Sequence, residues 1–393
     1  MNHEHPILVQ AQVIKEEIVK FRRWFHRHPE LGFEEFETSK FIENYLRGLG
    51  LDVRTGYAKT GISAVLEGAL PGNTVLLRAD IDGLPVKEAV ESDFKSETEG
   101  RMHACGHDTH MAMLLGAARL LVDNREKLKG KVKFIFQPAE EYVSGARAII
   151  DEGILQNPAV DVALALHIIP DIESGSIEIK EGIITASMDE FEITILGKGG
   201  HGSNPQSTID PIMTGALLVT AIQTIVSRKI SPTQGAAVSI CQFIAGSKSN
   251  IIPQSAYLSG TIRCFDPAVR KLIFEELERI TKGICDTAGA GYNLKINDQV
   301  PAVVNDGVLY ADFIACTSEI LGKDEIRIMS APRTYSEDFS LFGEKIPSLL
   351  FFLGTKNPEK NCIYPLHSQD FRIDEDVLPL GSALFAQYCL NRR

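Results

Sequence analysis

What this 393-residue chain lacks narrows the reading first. Its seven cysteines (105, 241, 264, 285, 316, 362 and 389) are scattered, odd in number and never in a Cys-x-x-Cys pair. That argues against a disulfide framework and for a reducing compartment. A basic excess is also missing: 52 acidic residues stand against 40 basic ones, a formal net charge of −12. Nucleic acid and anionic membrane both select for clustered Lys and Arg, so neither is expected as a partner. No basic segment followed by an apolar run opens the sequence, and no stretch of about 18 apolar residues is read along it. The expected address is therefore the cytoplasm. No repeat or low-complexity segment is found.

What is present is an ordinary soluble composition, 44% hydrophobic and 23% charged, with enough apolar mass for a buried sheet and enough length for a second domain. Helical periodicity over 7–27 stops at His28-Pro29, because the residue before proline disfavours helix. A second helix from about 34 ends at Gly48 and Gly50. Strand-like runs at 62–67, 74–79, 131–136 and 161–166 alternate with helices at about 108–123 and 145–152. This alternation predicts an α/β layer with a mostly parallel sheet.

The middle reads differently. Strands at 191–196, 237–243, 256–264 and 293–298 interleave with helices at about 210–227 and 267–287. Strand-helix-strand-strand-helix-strand is the ferredoxin-like order, here an inserted α+β satellite domain. The α/β pattern resumes with a helix at about 308–321, a strand at 348–353 and a helix at about 376–390. The expected division is 1–186 and 300–393 for one domain and 187–299 for the insert.

The densest polar signal is residues 102–110, Met-His-Ala-Cys-Gly-His-Asp-Thr-His. Cys105 and His107 would diverge on a helix but can converge on a looped approach, and Gly106 gives the backbone that freedom. The alternative is a plain helix N-terminus with Asp108 capping and an inert buried cysteine. His103 and His110 read as supporting or structural. After the strand at 131–136 comes Gln-Pro-Ala-Glu-Glu, ending at Glu140 and Glu141. Pro138 ends the strand, and the pair leaves the carboxyl end of a buried strand, where open α/β sheets place their sites. Paired surface glutamates are otherwise usually solvated.

His167 follows the apolar strand at 161–166, and His367 lies in a loop before the last helix. Each alone reads more readily as a structural histidine. Together, Cys105, His107, Glu141, His167 and His367 make five donors, with Glu140 left over. A structural zinc site closes with four and a single catalytic site uses three. Five donors suit two divalent ions. Mixed S, N and O donors accept zinc or manganese, with cobalt or nickel possible.

Nine segments carry a resemblance that runs nearly end to end: 28–33 (His-Pro-Glu-Leu-Gly-Phe), 77–85 (Leu-Arg-Ala-Asp-Ile-Asp-Gly-Leu-Pro), 102–108, 136–141, 197–203 (Gly-Lys-Gly-Gly-His-Gly-Ser), 250–253 (Asn-Ile-Ile-Pro), 260–263 (Gly-Thr-Ile-Arg), 336–340 (Ser-Glu-Asp-Phe-Ser) and 352–354 (Phe-Leu-Gly). The chain resembles the aminoacylase and carboxypeptidase family of two-metal amidohydrolases, in the branch of hippurate hydrolases, N-acyl-amino-acid amidohydrolases and indole-acetyl-amino-acid hydrolases.

The resemblance implies that Cys105, His107, Glu141, His167 and His367 hold two divalent ions. It implies that Glu140 is the general base, that His201 reaches a partner subunit's site to stabilise the oxyanion, and that Asn250 and Arg263 hold the substrate's carboxylate. An N-acyl amino acid substrate, a homodimer or dimer of dimers, and a lid or dimerisation role for the satellite domain follow from it. Asp80 and Asp82 stand where other branches carry a metal-binding His-x-Asp pair; the first is not histidine, so only supporting roles are expected. Read from residues alone, Arg263 is a strand-edge salt bridge and Asn250 a turn residue. Tyr142, Asn204, Gln206 and Tyr335 depart from the branch's usual smaller or different residues and bear on acyl specificity. A metallo-carboxypeptidase or dipeptidase is the alternative enzyme. A silent dimeric binding protein would predict a damaged donor set, and every donor is intact.

Overall fold

The computed structural model describes residues 1–392. The chain divides into two compact units: one of Met1–Ile184, Val304–Ala331 and the residues from Asp338 onward, the other of Thr185–Val303 and Pro332–Glu337.

In the first unit, apolar runs too long to alternate become strands buried on both faces. Lys129–Gln137, Leu70–Asp80, Val162–Glu173 and Ser348–Lys356 lie side by side and parallel at the centre of an eight-stranded sheet. Gly61–Glu67 and Asp52–Tyr57 extend it on one side in antiparallel pairing. Short strands Ile177–Ile179 and Ile326–Ile328 extend the other. Helices His107–Asp123 and Leu378–Asn391 are buried almost throughout, sharing one core with Phe134, Phe136, Phe351 and Leu353.

Two readings of this unit change. The helix expected over 7–27 is two helices, Pro6–Val13 and Lys15–Arg27, parted at Ile14 with ψ 10°. The strand expected to stop before His167 runs on to Glu173. Its neighbour Ser348–Lys356 keeps pairing with it past Phe352↔His167, whereas the register with Leu70–Asp80 ends at Arg78↔Ala165. His167 is therefore flanked by a strand on one side only, and the open side is where a donor set can gather.

The second unit is a four-stranded antiparallel sheet. Its chain order is strand Met188–Leu196, helix Pro211–Thr224, strands Ala236–Ala245 and Ser255–Cys264, helix Pro267–Ala288 and strand Gly291–Val300. Asp210 and Asp266 cap the two helices, each accepting from two backbone N–H groups, with proline at the first turn. Residues alternate buried and half-buried along Met188–Leu196 and Ser255–Cys264, so one face builds a core around Phe191, Ile193, Leu258 and Ile262. One helix bears on the expectation that no stretch of about 18 apolar residues occurs. Pro211–Lys229 is long and apolar enough, by length and composition, to cross a membrane, although Thr214, Thr220, Gln223 and Thr224 interrupt its apolar residues. Thr214, Gly215, Leu218 and Ile222 of this helix are buried in the unit's own core.

Candidate metal centre

The site grows from the carboxyl ends of the central strands. Gly106 adopts φ +84°, a conformation glycine takes without strain. A Cβ there would sit 2.7 Å from Ile168 Cγ1. That turn lets Cys105 precede the helix and His107 begin it, so both point at His167. Donor atoms of Cys105, His107 and His167 lie within 4.8 Å of one another, as do those of Cys105, Glu141 and His367, and those of His107, Glu140 and Glu141. Cys105 Sγ is 3.5 Å from His167 Nε2, and Glu141 Oε1 is 3.3 Å from His367 Nε2 and 4.0 Å from His107 Nε2. His367 sits at φ +64° with its N–H donated to Ala104 O at 2.8 Å, which ties the distant loop to the residue before Cys105.

The tautomers follow from the other ring nitrogens. His107 Nδ1 donates to the Asp82 carbonyl at 2.9 Å and faces Asp82 Oδ1 at 3.1 Å. His167 Nδ1 donates to Ile168 O at 2.6 Å. With Nδ1 so occupied, Nε2 is the nitrogen left to face a cation, the arrangement that orients a ligating imidazole. His110 differs: Nδ1 donates to Asp80 Oδ1 at 2.6 Å and Nε2 accepts the Ile168 N–H at 2.9 Å, so neither nitrogen is free for a metal. Asp82 Oδ2 also accepts the Glu141 N–H at 3.0 Å, so one carboxylate steadies two donor residues.

Chemistry tests whether ions fit. His107 Nε2 is buried with no hydrogen-bond partner among the described residues, and buried Glu141 Oε1 has the His367 ring nitrogen 3.3 Å away but no hydrogen bond of good geometry, a costly state unless something positive completes them. Burial pushes the Cys105 thiol well up, and the carboxylates of Glu141, Glu140 and Asp80 push it further. Only a cation among these groups would favour the thiolate. Burial alone would lower the His107 imidazole, yet Asp80, Asp82 and Glu141 outweigh it and raise it to about 10. Burial drives His167 well below the ordinary histidine value, with His110 adding to the effect. The donors suit divalent ions.

Behind them lies a buried polar web, of which the sequence reading singled out Asp80 alone, in a supporting role. Arg78 donates to Asp80 Oδ2 at 2.7 Å, to Gln137 Oε1 at 2.9 Å and to Asp338 Oδ1 at 3.0 Å. Asp338 further accepts from Gln137 Nε2 at 2.8 Å and from the Ala146 N–H at 2.9 Å. The signal was an arginine and an aspartate inside the apolar run Leu76-Leu77-Arg78-Ala79-Asp80. The remaining candidates belong to the second unit. His201 and Asn250 are exposed and adjacent: Ile251 pairs with His201, and the Gly202 N–H donates to Asn250 O at 2.9 Å. Arg263, half-buried on its strand, donates to Ser336 Oγ at 2.8 Å.

Residues 76–391 match peptidase family M20/M25/M40. The chain belongs to that family. As an M20 protein it is a metal-dependent hydrolase of amide or peptide bonds. It is 42% identical over 377 residues to thermostable carboxypeptidase 2 of Saccharolobus solfataricus, covering 95% of this chain and 94% of the relative. It is 39% identical over 374 residues to N-acetylcysteine deacetylase of Bacillus subtilis, covering 94% and 95%. A solved Bacillus subtilis structure, described as a dinuclear metal binding peptidase from the M20 family, superposes with TM-score 0.83 at 35% identity over 96% of this chain and 98% of that one.

Proposed function

We propose that this M20 protein hydrolyses the amide bond of N-acyl amino acids, of N-acetyl or N-benzoyl type, to a carboxylic acid and a free amino acid. The observation that carries the reading is the meeting of Cys105, His107, Glu141, His167 and His367 with Glu140 beside them. These five would hold two divalent ions, zinc or manganese before cobalt or nickel; bound there, such ions lower the pKa of water and polarise a carbonyl.

Glu140 takes a proton from the attacking water as its oxygen bonds the carbonyl carbon. It then gives that proton to the amine nitrogen as the C–N bond breaks. His201 donates to the oxyanion, a contact whose loss typically costs about 3–4 kcal/mol of barrier. Asn250 and Arg263 hold the carboxylate, Arg263 through its two-pronged guanidinium. We assign a homodimer, with the second unit as lid and dimerisation domain. Its edge strand Ala236–Ala245 leaves Phe243 and Ile244 41% and 62% exposed, an unpaired apolar edge of the kind a second copy can cover. A cytoplasmic setting agrees with seven scattered cysteines, an odd number with no Cys-x-x-Cys pair.

The 42% identical carboxypeptidase favours a second reading, cleavage of short peptides. Initial rates on N-acetyl and N-benzoyl amino acids set against dipeptides decide between them. Preference for the acylated series by kcat/KM is expected; turnover of dipeptides only would reject the first reading.

A further inference from the structure

Glu35 is a fully buried carboxylate that the chemistry above does not use. Its Oε1 accepts the Ala139 N–H at 2.9 Å and its Oε2 accepts the Thr60 hydroxyl at 2.6 Å. Neither contact is to a cation, and burial pushes the carboxyl up to about 7. A desolvated acid is expensive to keep, so what it holds matters.

It holds a strained corner. Ala139 stands at φ +53°, uncommon for a residue with a Cβ, and Glu140 and Glu141 follow it directly. The loop then folds back on itself. The Val143 N–H donates to Glu140 O at 2.7 Å and the Gly145 N–H to Ala139 O at 3.2 Å. A Cβ on Gly145 would lie 1.6 Å from Pro138 O, so the closure is tight. Gly32, three residues before Glu35, gives Ala139 its seat: a Cβ there would come within 2.9 Å of Ala139 Cβ. The segment 32–35 thus supports the corner both by contact and by hydrogen bond. Without Glu35 the Ala139 N–H would be buried and unsatisfied, and the corner would relax toward φ below zero, carrying Glu140 with it.

We infer that Glu35 is a positioning residue for Glu140, acting through the Ala139 peptide. This rests on the role proposed above for Glu140. The test compares Glu35→Ala, Glu35→Gln and Thr60→Val in the full-length metal-loaded protein. Steady-state kinetics on an N-acyl amino acid are measured beside amide hydrogen exchange of peptides spanning 138–145. For Glu35→Ala, kcat should fall about a hundredfold, the scale of an ångström-sized misplacement, with KM within about threefold and exchange in 138–145 accelerated. Glu35→Gln keeps an acceptor for the Ala139 N–H and replaces the acceptor facing Thr60 with an amide N–H that can donate to the Thr60 hydroxyl oxygen, and should recover kcat to within about fivefold by the same reasoning. Unchanged kcat in Glu35→Ala, or Glu35→Gln as impaired as Glu35→Ala, overturns the inference. If Glu35→Ala does not fold, Thr60→Val and Glu35→Gln decide it: accelerated exchange and lowered kcat in the first alone support the inference, and no change in either measurement overturns it. Should the wild type cleave no N-acyl amino acid, the substrate reading fails, and exchange of 138–145 in the variants still decides the role of Glu35.

Discussion

The two units solve burial in opposite ways. In the first, the central parallel strands are covered on both faces; along Ser348–Lys356 every residue but the last is buried. In the second, one sheet face is packed and the strand Ala236–Ala245 buries only Val238. The first can therefore keep polar groups dry and held from several sides: Arg78, Asp80, Gln137 and Asp338 are all at most 1% exposed and bonded to one another. The second offers exposed groups, His201 and Asn250 among them, with the latitude that recognition uses. Chemistry needing fixed lone pairs belongs in the first setting; contacts that must form with something arriving from outside belong in the second.

The comparison can be broken at several strengths. Chelation should act most, abolishing amidase activity, with recovery on adding zinc or manganese; metal content per chain read beside activity checks it. Glu140→Gln should lower kcat by about 10²–10⁴-fold, the range for losing an acid–base group, while metal content is retained. Survival of near-native rate would remove Glu140 as base.

On stability, Asp338→Ala takes one carboxylate from the buried Arg78, which keeps Asp80, and leaves Gln137 Nε2 and the Ala146 N–H without this acceptor. It should cost about 3–5 kcal/mol, seen as a lower denaturant midpoint. Phe191→Ala should cost a similar amount, about 3–5 kcal/mol, but in the second unit alone. Calorimetry should then resolve an early transition while the first unit still binds metal. The smallest effect on folding, within about 0.5 kcal/mol, belongs to Ile244→Ser on the exposed edge. Under the proposed homodimer the expected outcome is a shift toward monomer in sedimentation; an unchanged species would reject this edge as the subunit contact.

Much of the first unit could be read along the chain, because its helices and strands follow local periodicity: the helix expected at about 108–123 spans His107–Asp123. The pieces that escaped are those whose partners are remote. Nothing near residue 167 says whether its strand stops; pairing with Ser348–Lys356 decides that. Pro332–Glu337 groups with the second unit through contacts such as the Ala186 N–H donated to Tyr335 O at 2.9 Å, between residues about 150 apart.

The candidate donors show the same divide. Residue type and spacing marked Cys105, His107 and the Glu140-Glu141 pair, because thiol, imidazole and carboxylate are the groups that hold divalent ions. The sequence reading takes His107 as a donor and His110, three residues on along the same helix, as supporting, but residue type alone gives no physical reason for the choice. Tertiary contacts separate them. Asp82 occupies one nitrogen of His107 and leaves the other free, whereas Asp80 and the Ile168 amide occupy both nitrogens of His110. Chemical identity is a property of each residue and is written in the chain. Which lone pair remains unspent depends on groups brought from elsewhere, and only folding supplies them.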